Sequence, residues 1–279
     1  MLTQKEIVCY GAPSSTCIFP AALLGGHDMT AIAIVYAHHD GTFVMAADGR
    51  RASGALEQIT IHNDTDQKVF LASSPHTNIA YAISGLSVIG ERLFETIAET
   101  KRQIDQLVDK RFLSGHHYAD EVSRGLASVL EMAIATRRIP ANITQPGLPP
   151  EEKGRVFKLY ICGYYEQLPF LRVDRFYLDG GNRVSMRHQD FELSHSQIAC
   201  TGSDKIAAMI YGNVPMDPRI AKYKPPERTG ALGMASSFIQ ACSDTAALGI
   251  DPWCAIIGGH VHAAEIAKEE SRWLIPPVA

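Results

Sequence analysis

The chain has 279 residues, of which 46% are hydrophobic and 20% are charged, and its formal net charge is -4 at pH 7. This length and composition are typical of a globular protein with one large domain or two small ones. The negative charge balance excludes a strong basic surface of the kind that binds nucleic acid or an anionic membrane.

The cysteine pattern argues against a metal or redox site. No two of the six cysteines have the C-x-x-C spacing of such sites. Several lie in apolar segments such as "YICGYY" and "WCAIIGG", a setting typical of buried, reduced thiols. No apolar run approaches the roughly 18 residues that span a bilayer. We therefore expect a cytoplasmic protein without a metal or cofactor.

The first 29 residues lack the periodicity of a helix or strand. They make a poor signal peptide, because Lys5 is cancelled by Glu6 and Pro20 interrupts the only apolar patch. We expect residues 1–29 to be a propeptide, a disordered arm or a segment ahead of the true start. Residues 30–279 are expected to form a single domain.

Regular strand patterns begin at Thr30. "TAIAIVYA", the turn "HHDG" with its Asp-Gly signal, and "TFVMAAD" predict a first hairpin. "VFLASS" and "IAYAISG" predict a second pair of strands. Together these segments predict an antiparallel meander and not the strand–helix alternation of a parallel sheet.

Helical periodicity follows the second strand pair. Apolar residues recur at steps of three or four over residues 87–110 and 118–138, which predicts two helices covering one face of a sheet. The proline-rich stretch 139–155 predicts an exposed loop.

The second half of the chain repeats the order of strands and then helices. Strands are predicted at 156–165, 170–181, 183–188, 197–203 and 254–266, and helices at 204–212 and 229–249. This order predicts a layered protein in which two sheets lie between helical layers.

The threonine at the start of the first predicted strand raises a catalytic hypothesis. A threonine hydroxyl is a weak nucleophile until a base removes its proton, and a free α-amine on the same residue can be that base. A lysine nearby favours the neutral amine, a carboxylate orients the lysine, and backbone N–H groups bind an oxyanion. The candidates are Thr30, Asp48 in "AADGRR", Lys68 in "DQKVF" and the Gly85 turn in "AISGL".

These segments resemble the opening of a proteasome β-type subunit, the family that includes the bacterial HslV peptidase. The similarity rests on "MTAIAIV", "AADGR", "QKVFLASS" and "AISGL", and it extends through "YICGYY" and "FLRVDRFYLDGG" to the Gly-Ser turn in "IACTGSDKIAAMI". It covers nearly all of residues 30–265. The resemblance implies an α+β, four-layer αββα sandwich with two antiparallel sheets, the fold of N-terminal-nucleophile hydrolases.

The resemblance also implies a role for each candidate. Thr30 would be the nucleophile with its own amine as proton acceptor, and Gly85 N–H would bind the oxyanion. The supporting residues would be Asp48, Lys68, the Gly202–Ser203 turn and Asp244 as the late aspartate. The implied activity is peptide hydrolysis through a threonyl acyl-enzyme. The implied partners are identical subunits in a ring and an ATP-dependent unfoldase, with no nucleic acid and no membrane.

Three positions depart from the family pattern. Ala247 stands where a second serine is usual, Gly49 where serine follows the aspartate, and Met29 where glycine precedes the threonine. HslV-type chains begin with Met-Thr and expose threonine when the initiator methionine is removed. Thr30 would be exposed in the same way from a start at Met29, or by cleavage after Met29.

Two other functions fit the sequence. A Thr30 that stays inside a longer chain has no free amine, which would make the protein a catalytically silent ring subunit. An amidase acting on a small molecule is also compatible with the fold.

Two other sets of residues fit a reactive site less well. His260 and His262 share one face of a predicted strand, but no third metal ligand is evident, so both are interpreted as structural. Neither Cys9 nor Cys17 begins a strand that is followed by the aspartate and lysine features, which argues against a cysteine nucleophile.

Overall fold

A computed structural model describes residues 7–8, 16–17, 30–53, 58–89, 94–143, 148, 150–181, 183–212, 214–226 and 229–278. Apart from two short strands, the predicted extension 1–29 lies outside the described residues, and so does the Met29 side of the predicted cleavage point. Among the helices of the described ranges, none combines the length and the apolar character needed to cross a membrane.

The strands are β1 Ile7–Val8, β2 Thr16–Cys17, β3 Ile32–Ala37, β4 Thr42–Ala47, β5 Arg51–Ser53, β6 Thr60–Asn63, β7 Val69–Ser73, β8 Thr77–Gly85, β9 Val88–Ile89, β10 Phe94–Glu95, β11 Arg155–Tyr165, β12 Leu168–Leu178, β13 Val184–Asp190, β14 Gln197–Thr201, β15 His262–Ile266 and β16 Ser271–Ile275. The α-helices are α1 Thr96–Leu107, α2 Gly115–Ala135, α3 Asp204–Tyr211 and α4 Ala231–Ser243. Short 3-10 helices span Pro150–Glu152, Ala221–Tyr223, Thr245–Gly249 and Pro252–Ile256.

The chain divides into two compact units. The first comprises residues 1–69, 193–265 and 272–279, and the second comprises residues 70–192 and 266–271.

The first unit is built on a five-stranded sheet in the order β14-β3-β4-β15-β16. β3 pairs antiparallel with both β14 and β4, as the Asp-Gly turn after β3 predicts. The side chains of β3 and β4 are buried almost throughout. α3 and α4 supply the helical side of the core, whose large members include Ile206, Ile210, Phe238 and Ile239.

The second unit is built on a sheet in the order β13-β12-β11-β8-β7. The long β11–β12 hairpin is its centre, and β8 and β13 pair antiparallel on either side of it. α1 and α2 bury their apolar stripes against this sheet. The first helix is shorter than the predicted range 87–110, because β9 and β10 occupy residues 88–89 and 94–95 and α1 begins at Thr96. The rings of Phe157 and Phe176 stack across the hairpin with centroids 4.4 Å apart.

The single meander predicted for the first four strands is wrong. The β3–β4 hairpin belongs to one sheet, and β7 and β8 belong to the other. The small β5–β6 hairpin, which the sequence analysis did not predict, lies between them along the chain. Local alternation predicts each hairpin, but it carries no information about which sheet a hairpin joins.

The C-terminal strand prediction also needs correction. Of residues 254–266 only the last five form a strand, and the 3-10 helix Pro252–Ile256 precedes them. The described residues thus have an α+β fold with antiparallel strand pairing. The four-layer arrangement and the single domain over residues 30–279 stay predictions.

Candidate active site

Thr30 lies immediately ahead of β3 and is buried. The next residue, Ala31, donates its N–H to Asp48 Oδ1 at 2.9 Å, and Asp48 N–H donates to the Ala31 carbonyl oxygen at 3.1 Å. Asp48 directly follows β4, so the β3–β4 hairpin carries it back to the start of β3. The fold therefore brings the predicted aspartate beside the residue that follows the predicted nucleophile.

Lys68 forms an ion pair with the same carboxylate. Its ammonium Nζ lies 3.2 Å from Asp48 Oδ1 and also donates a short hydrogen bond to the Arg50 carbonyl oxygen. Both Lys68 and Asp48 are buried. Because the Ala31 N–H and the Lys68 ammonium share one oxygen, the cation lies within two hydrogen-bond lengths of the amide that follows Thr30.

The second oxygen of Asp48 is occupied by backbone donors. Oδ2 accepts the N–H of Gly258 at 3.0 Å and that of Arg50 at 3.3 Å. Complete burial raises the pKa of Asp48, while the Lys68 ammonium and the N–H groups of Gly258 and Ala31 oppose that rise. Four donors converging on two oxygens suit the ionised carboxylate, which can only accept.

Arg50 connects this carboxylate to two loops. Its Nε donates to Asp64 Oδ1 at 2.7 Å, and its Nη1 donates to the carbonyl oxygens of Ala255 and Ile257 at 3.3 and 3.2 Å. The side chain therefore fixes the segment that leads into Gly258, whose N–H reaches Asp48.

Close backbone packing explains the glycine at position 49. A Cβ on Gly49 would lie 2.7 Å from the His260 carbonyl oxygen and 2.9 Å from that of Asp64, closer than real Cβ contacts. The serine that is usual in the resembling family does not fit this backbone without a shift.

His262 holds the backbone of the lysine. Its Nε2 accepts the N–H of Lys68 at 2.9 Å and that of Val69 at 3.1 Å. Only 1% of its surface is exposed. Burial, and then the charge of Lys68, lowers the pKa of His262 to about 4. Sequence reasoning interpreted this histidine as structural, but it had no signal for the partner, which lies 194 positions away in the chain.

The predicted Gly202–Ser203 turn lies against the start of β3. Gly202 has φ +132°, and a Cβ there would come within 3.2 Å of the Ala31 Cα. Ser203 caps α3, and its hydroxyl donates to Asp251 Oδ2 at 2.7 Å. Ser203 and Asp251 are both buried.

Asp244 lies in a different setting from Asp251. It accepts hydrogen bonds from Lys222 Nζ at 2.8 Å, Tyr223 Oη at 2.7 Å and Ala246 N–H at 2.8 Å. The bond from Lys222 lowers the pKa of Asp244 below its ordinary value. The carboxylate that Ser203 contacts is thus Asp251, which sequence reasoning missed, and the catalytic role of Asp244 stays a prediction.

Gly85 belongs to the second unit. It ends β8, pairs with Phe157 of β11 and has φ +112°, a conformation that favours glycine. Its role as oxyanion donor stays a prediction.

The described residues carry no group of three or more His, Cys, Asp or Glu side chains placed to hold a metal ion. They define an α+β protein in which a buried lysine–aspartate pair stands beside a threonine at the start of a strand. No family model and no curated protein matches the sequence.

Solved structures that are similar to the chain include the following two. Anbu (ancestral beta-subunit) from Yersinia bercovieri is 11% identical with a TM-score of 0.47, over 88% of this chain and 87% of that chain. Thiobacillus denitrificans BPH in complex with epoxomicin is 15% identical with a TM-score of 0.47, over 86% of this chain and 99% of that chain. At these values neither similarity establishes a family or an activity for this chain.

Proposed function

We propose that the protein is a threonine-type N-terminal-nucleophile hydrolase that cleaves the amide bonds of peptides. The observation that carries the proposal is the sharing of Asp48 Oδ1 by the Lys68 ammonium and the Ala31 N–H. A buried cation this close to Thr30 stabilises the deprotonated forms of the threonine hydroxyl and α-amine. These are the forms that an N-terminal nucleophile needs.

The proposed reaction has two halves. Thr30 Oγ attacks the peptide carbonyl carbon while its proton passes to the free α-amine, and a backbone N–H donates to the resulting oxyanion. The sequence resemblance assigns this donor to Gly85. The C–N bond then breaks, the leaving amine takes the proton from the α-ammonium, and an ester on Thr30 remains. Water attacks that ester and passes a proton to the α-amine. The C–O bond then breaks, the α-ammonium returns the proton to Thr30 Oγ, and the acid is released.

Each supporting residue has a defined task in this proposal. Lys68 supplies the positive charge, and Asp48 holds both Lys68 and the backbone after Thr30. Ser203 fixes the turn packed against Ala31, and Asp251 holds Ser203. In this scheme Asp251 takes the place that the sequence resemblance gave to Asp244.

The wider setting of the proposal rests on the sequence resemblance. It comprises a ring of identical subunits and an ATP-dependent unfoldase partner, while the proposed cytoplasmic location rests on the cysteine pattern. None of these is needed for the chemistry at Thr30.

The test uses protein whose chain begins at Thr30. Expression from Met29 allows removal of the initiator methionine, and intact mass confirms the new terminus. A panel of fluorogenic peptides and of small-molecule amides is then assayed with the parent protein, Thr30→Ala and Thr30→Ser. The chain beginning at Met1 is the matched control, because its Thr30 has no free amine.

We expect peptide turnover that Thr30→Ala abolishes, that Thr30→Ser retains in part and that the Met1 chain lacks. Turnover of small amides alone would replace the proposal with a small-molecule amidase. No turnover of either class by a verified Thr30 chain would overturn it in favour of a catalytically silent subunit.

A further inference from the structure

Lys68 is held at two points. Its ammonium is fixed by Asp48 and the Arg50 carbonyl oxygen, and its backbone N–H is fixed by His262 Nε2. The N–H of Val69 ends on the same nitrogen at 3.1 Å. One imidazole therefore satisfies two consecutive backbone donors at the start of β7.

This geometry determines the protonation state of the ring. A nitrogen that accepts two N–H groups must present its lone pair, so Nε2 carries no proton and the single ring proton is on Nδ1. A proton on Nε2 would point at two donors and would leave both backbone N–H groups without an acceptor. It would also place a second positive charge near the Lys68 ammonium.

We propose that His262 is a positioning residue that holds Lys68 against Asp48 only while its imidazole is neutral. The structural half of this inference stands on the contacts alone. The effect on turnover rests on the proposed function.

The surroundings of His262 favour its neutral form. The groups that act on its charge are Lys68 and His260, and the ring centroid of His260 lies 6.5 Å away. A hydrogen bond with the His260 backbone opposes the lowering of the His262 pKa, but burial and the two neighbouring side chains outweigh it. The ring of Trp273 on β16, 6.3 Å away, adds apolar surface without charge. Asp48 lies beyond Lys68 and is already engaged by four donors. Protonation is therefore disfavoured at neutral pH, and the pKa of about 4 fits this geometry.

Three substitutions separate positioning from simple packing. His262→Leu keeps an apolar side chain of related size but removes the acceptor. His262→Gln supplies an amide oxygen that can accept the same N–H groups and does not titrate. His260→Gln is the matched control, because His260 lies two residues before His262 and its Nε2 contacts the Pro276 carbonyl oxygen.

Turnover is measured with peptides and protein beginning at Thr30, at a fixed neutral pH. We expect His262→Leu to lower kcat by about 10- to 100-fold with little change in KM. The reason is that a displaced Lys68 no longer places its positive charge where it favours the deprotonated forms of Thr30. His262→Gln should restore most of kcat, and His260→Gln should match the parent protein. Equal kcat for His262→Leu and the parent would overturn the catalytic half.

Amide signals give a readout that does not need turnover. In an NMR acid titration of the parent protein, the Lys68 and Val69 amides should move together near pH 4 and lose protection from hydrogen exchange. The same titration of His262→Gln should lack that step. A step that persists in His262→Gln would overturn the inference, and this comparison decides the question even if His262→Leu does not fold.

The two proposals fail in distinguishable ways. Suppose that no protein in the series cleaves a peptide, but that the Lys68 and Val69 amide signals move near pH 4 in the parent and not in His262→Gln. The proposed function then fails, and the positioning of Lys68 by His262 stands. If peptides are cleaved and the step is unchanged in His262→Gln, the reverse holds.

Discussion

At the scale of single residues, the buried pair of Lys68 and Asp48 is the part of the site most sensitive to substitution. Lys68→Met removes the cation but leaves a fully buried carboxylate with backbone donors only. Breaking a buried pair from one side typically costs about 3–5 kcal/mol of unfolding free energy. We expect turnover to fall to the level of Thr30→Ala.

The pH dependence of Lys68→Met follows from the burial of Asp48. Burial raises the pKa of this carboxyl, and loss of Lys68 removes an opposing charge. The folded state then holds a proton that the unfolded state releases, so stability falls as pH rises above the ordinary pKa of 3.8. Urea unfolding at pH 5 and pH 8 measures the difference, and turnover equal to the parent's would remove Lys68 from the site.

The pH dependence of stability that comes from His262 has the opposite sign to that of Asp48 in Lys68→Met. Its pKa is lowered to about 4 in the folded protein, so the unfolded state takes up a proton first as pH falls below its ordinary value of 6.5. Its contribution to stability is therefore complete above pH 6.5 and is lost as pH falls toward 4, by about 3 kcal/mol in all. Unfolding curves of the parent and His262→Gln should converge in acid, and parallel curves across this range would contradict the assignment.

Only part of this site could be predicted from the sequence. Thr30, Asp48 and Lys68 follow one another along the first predicted strands of the chain, and their order and motifs indicate a common site. Asp251 and His262 could not be predicted, because each acts through a contact with a residue 48 or 194 positions away. Alternation places His262 on one face of a strand but does not say what lies opposite.

At the scale of elements, the turn before α3 depends on a carboxylate from the 3-10 region. Asp251→Asn replaces an acceptor of the buried Ser203 hydroxyl, so we expect a loss of kcat and a lower unfolding midpoint. Asp244→Asn is the matched variant, because its carboxylate contacts Lys222 and Tyr223 near the surface. Peptide kinetics on both variants separate the two aspartates, and a larger loss from Asp244→Asn would restore the assignment based on resemblance.

The loop that carries Gly49 gives a second prediction at this scale. Gly49→Ser should destabilise the protein by about 1–3 kcal/mol, because its Cβ would press on the backbone oxygens of His260 and Asp64. Gly230→Ser is the control, since Gly230 caps α4 and a Cβ there meets nothing within 4 Å. Serine is a good N-cap, so this variant should be neutral or slightly more stable. Thermal unfolding gives the midpoints of Gly49→Ser and Gly230→Ser. Equal midpoints would show that the backbone around position 49 shifts to accept the side chain at little cost.

Hairpins and helices could be predicted from local pattern, but their assembly could not. The alternation in β3 and β4 and the helical stripes of α1 and α2 are properties of short windows. The assignment of β3–β4 and β7–β8 to different sheets depends on long-range pairing, which leaves no local signal. The β5–β6 hairpin was missed because its residues are mostly exposed and lack an apolar stripe.

At the scale of the whole molecule, the proposed ring and the exposed threonine can be measured together. Protein isolated from its own cells should have a chain that begins at Thr30 and a native mass that is a multiple of the chain mass. Intact mass spectrometry and light scattering give the two values. A chain beginning at Met1 would remove the free amine on which the mechanism depends, and a monomer would remove the ring.

The long-range contacts of the site have a consequence for how the protein is made. Asp48 accepts the N–H of Gly258, and Lys68 is held by His262, so the contacts around the lysine–aspartate pair are incomplete until Gly258 and the start of β15 have folded. A nascent chain on the ribosome would contain Thr30 from the start of synthesis, but Lys68 would not yet be held beside it. Under the proposed function, the cell is therefore protected from a premature protease by the order of translation itself.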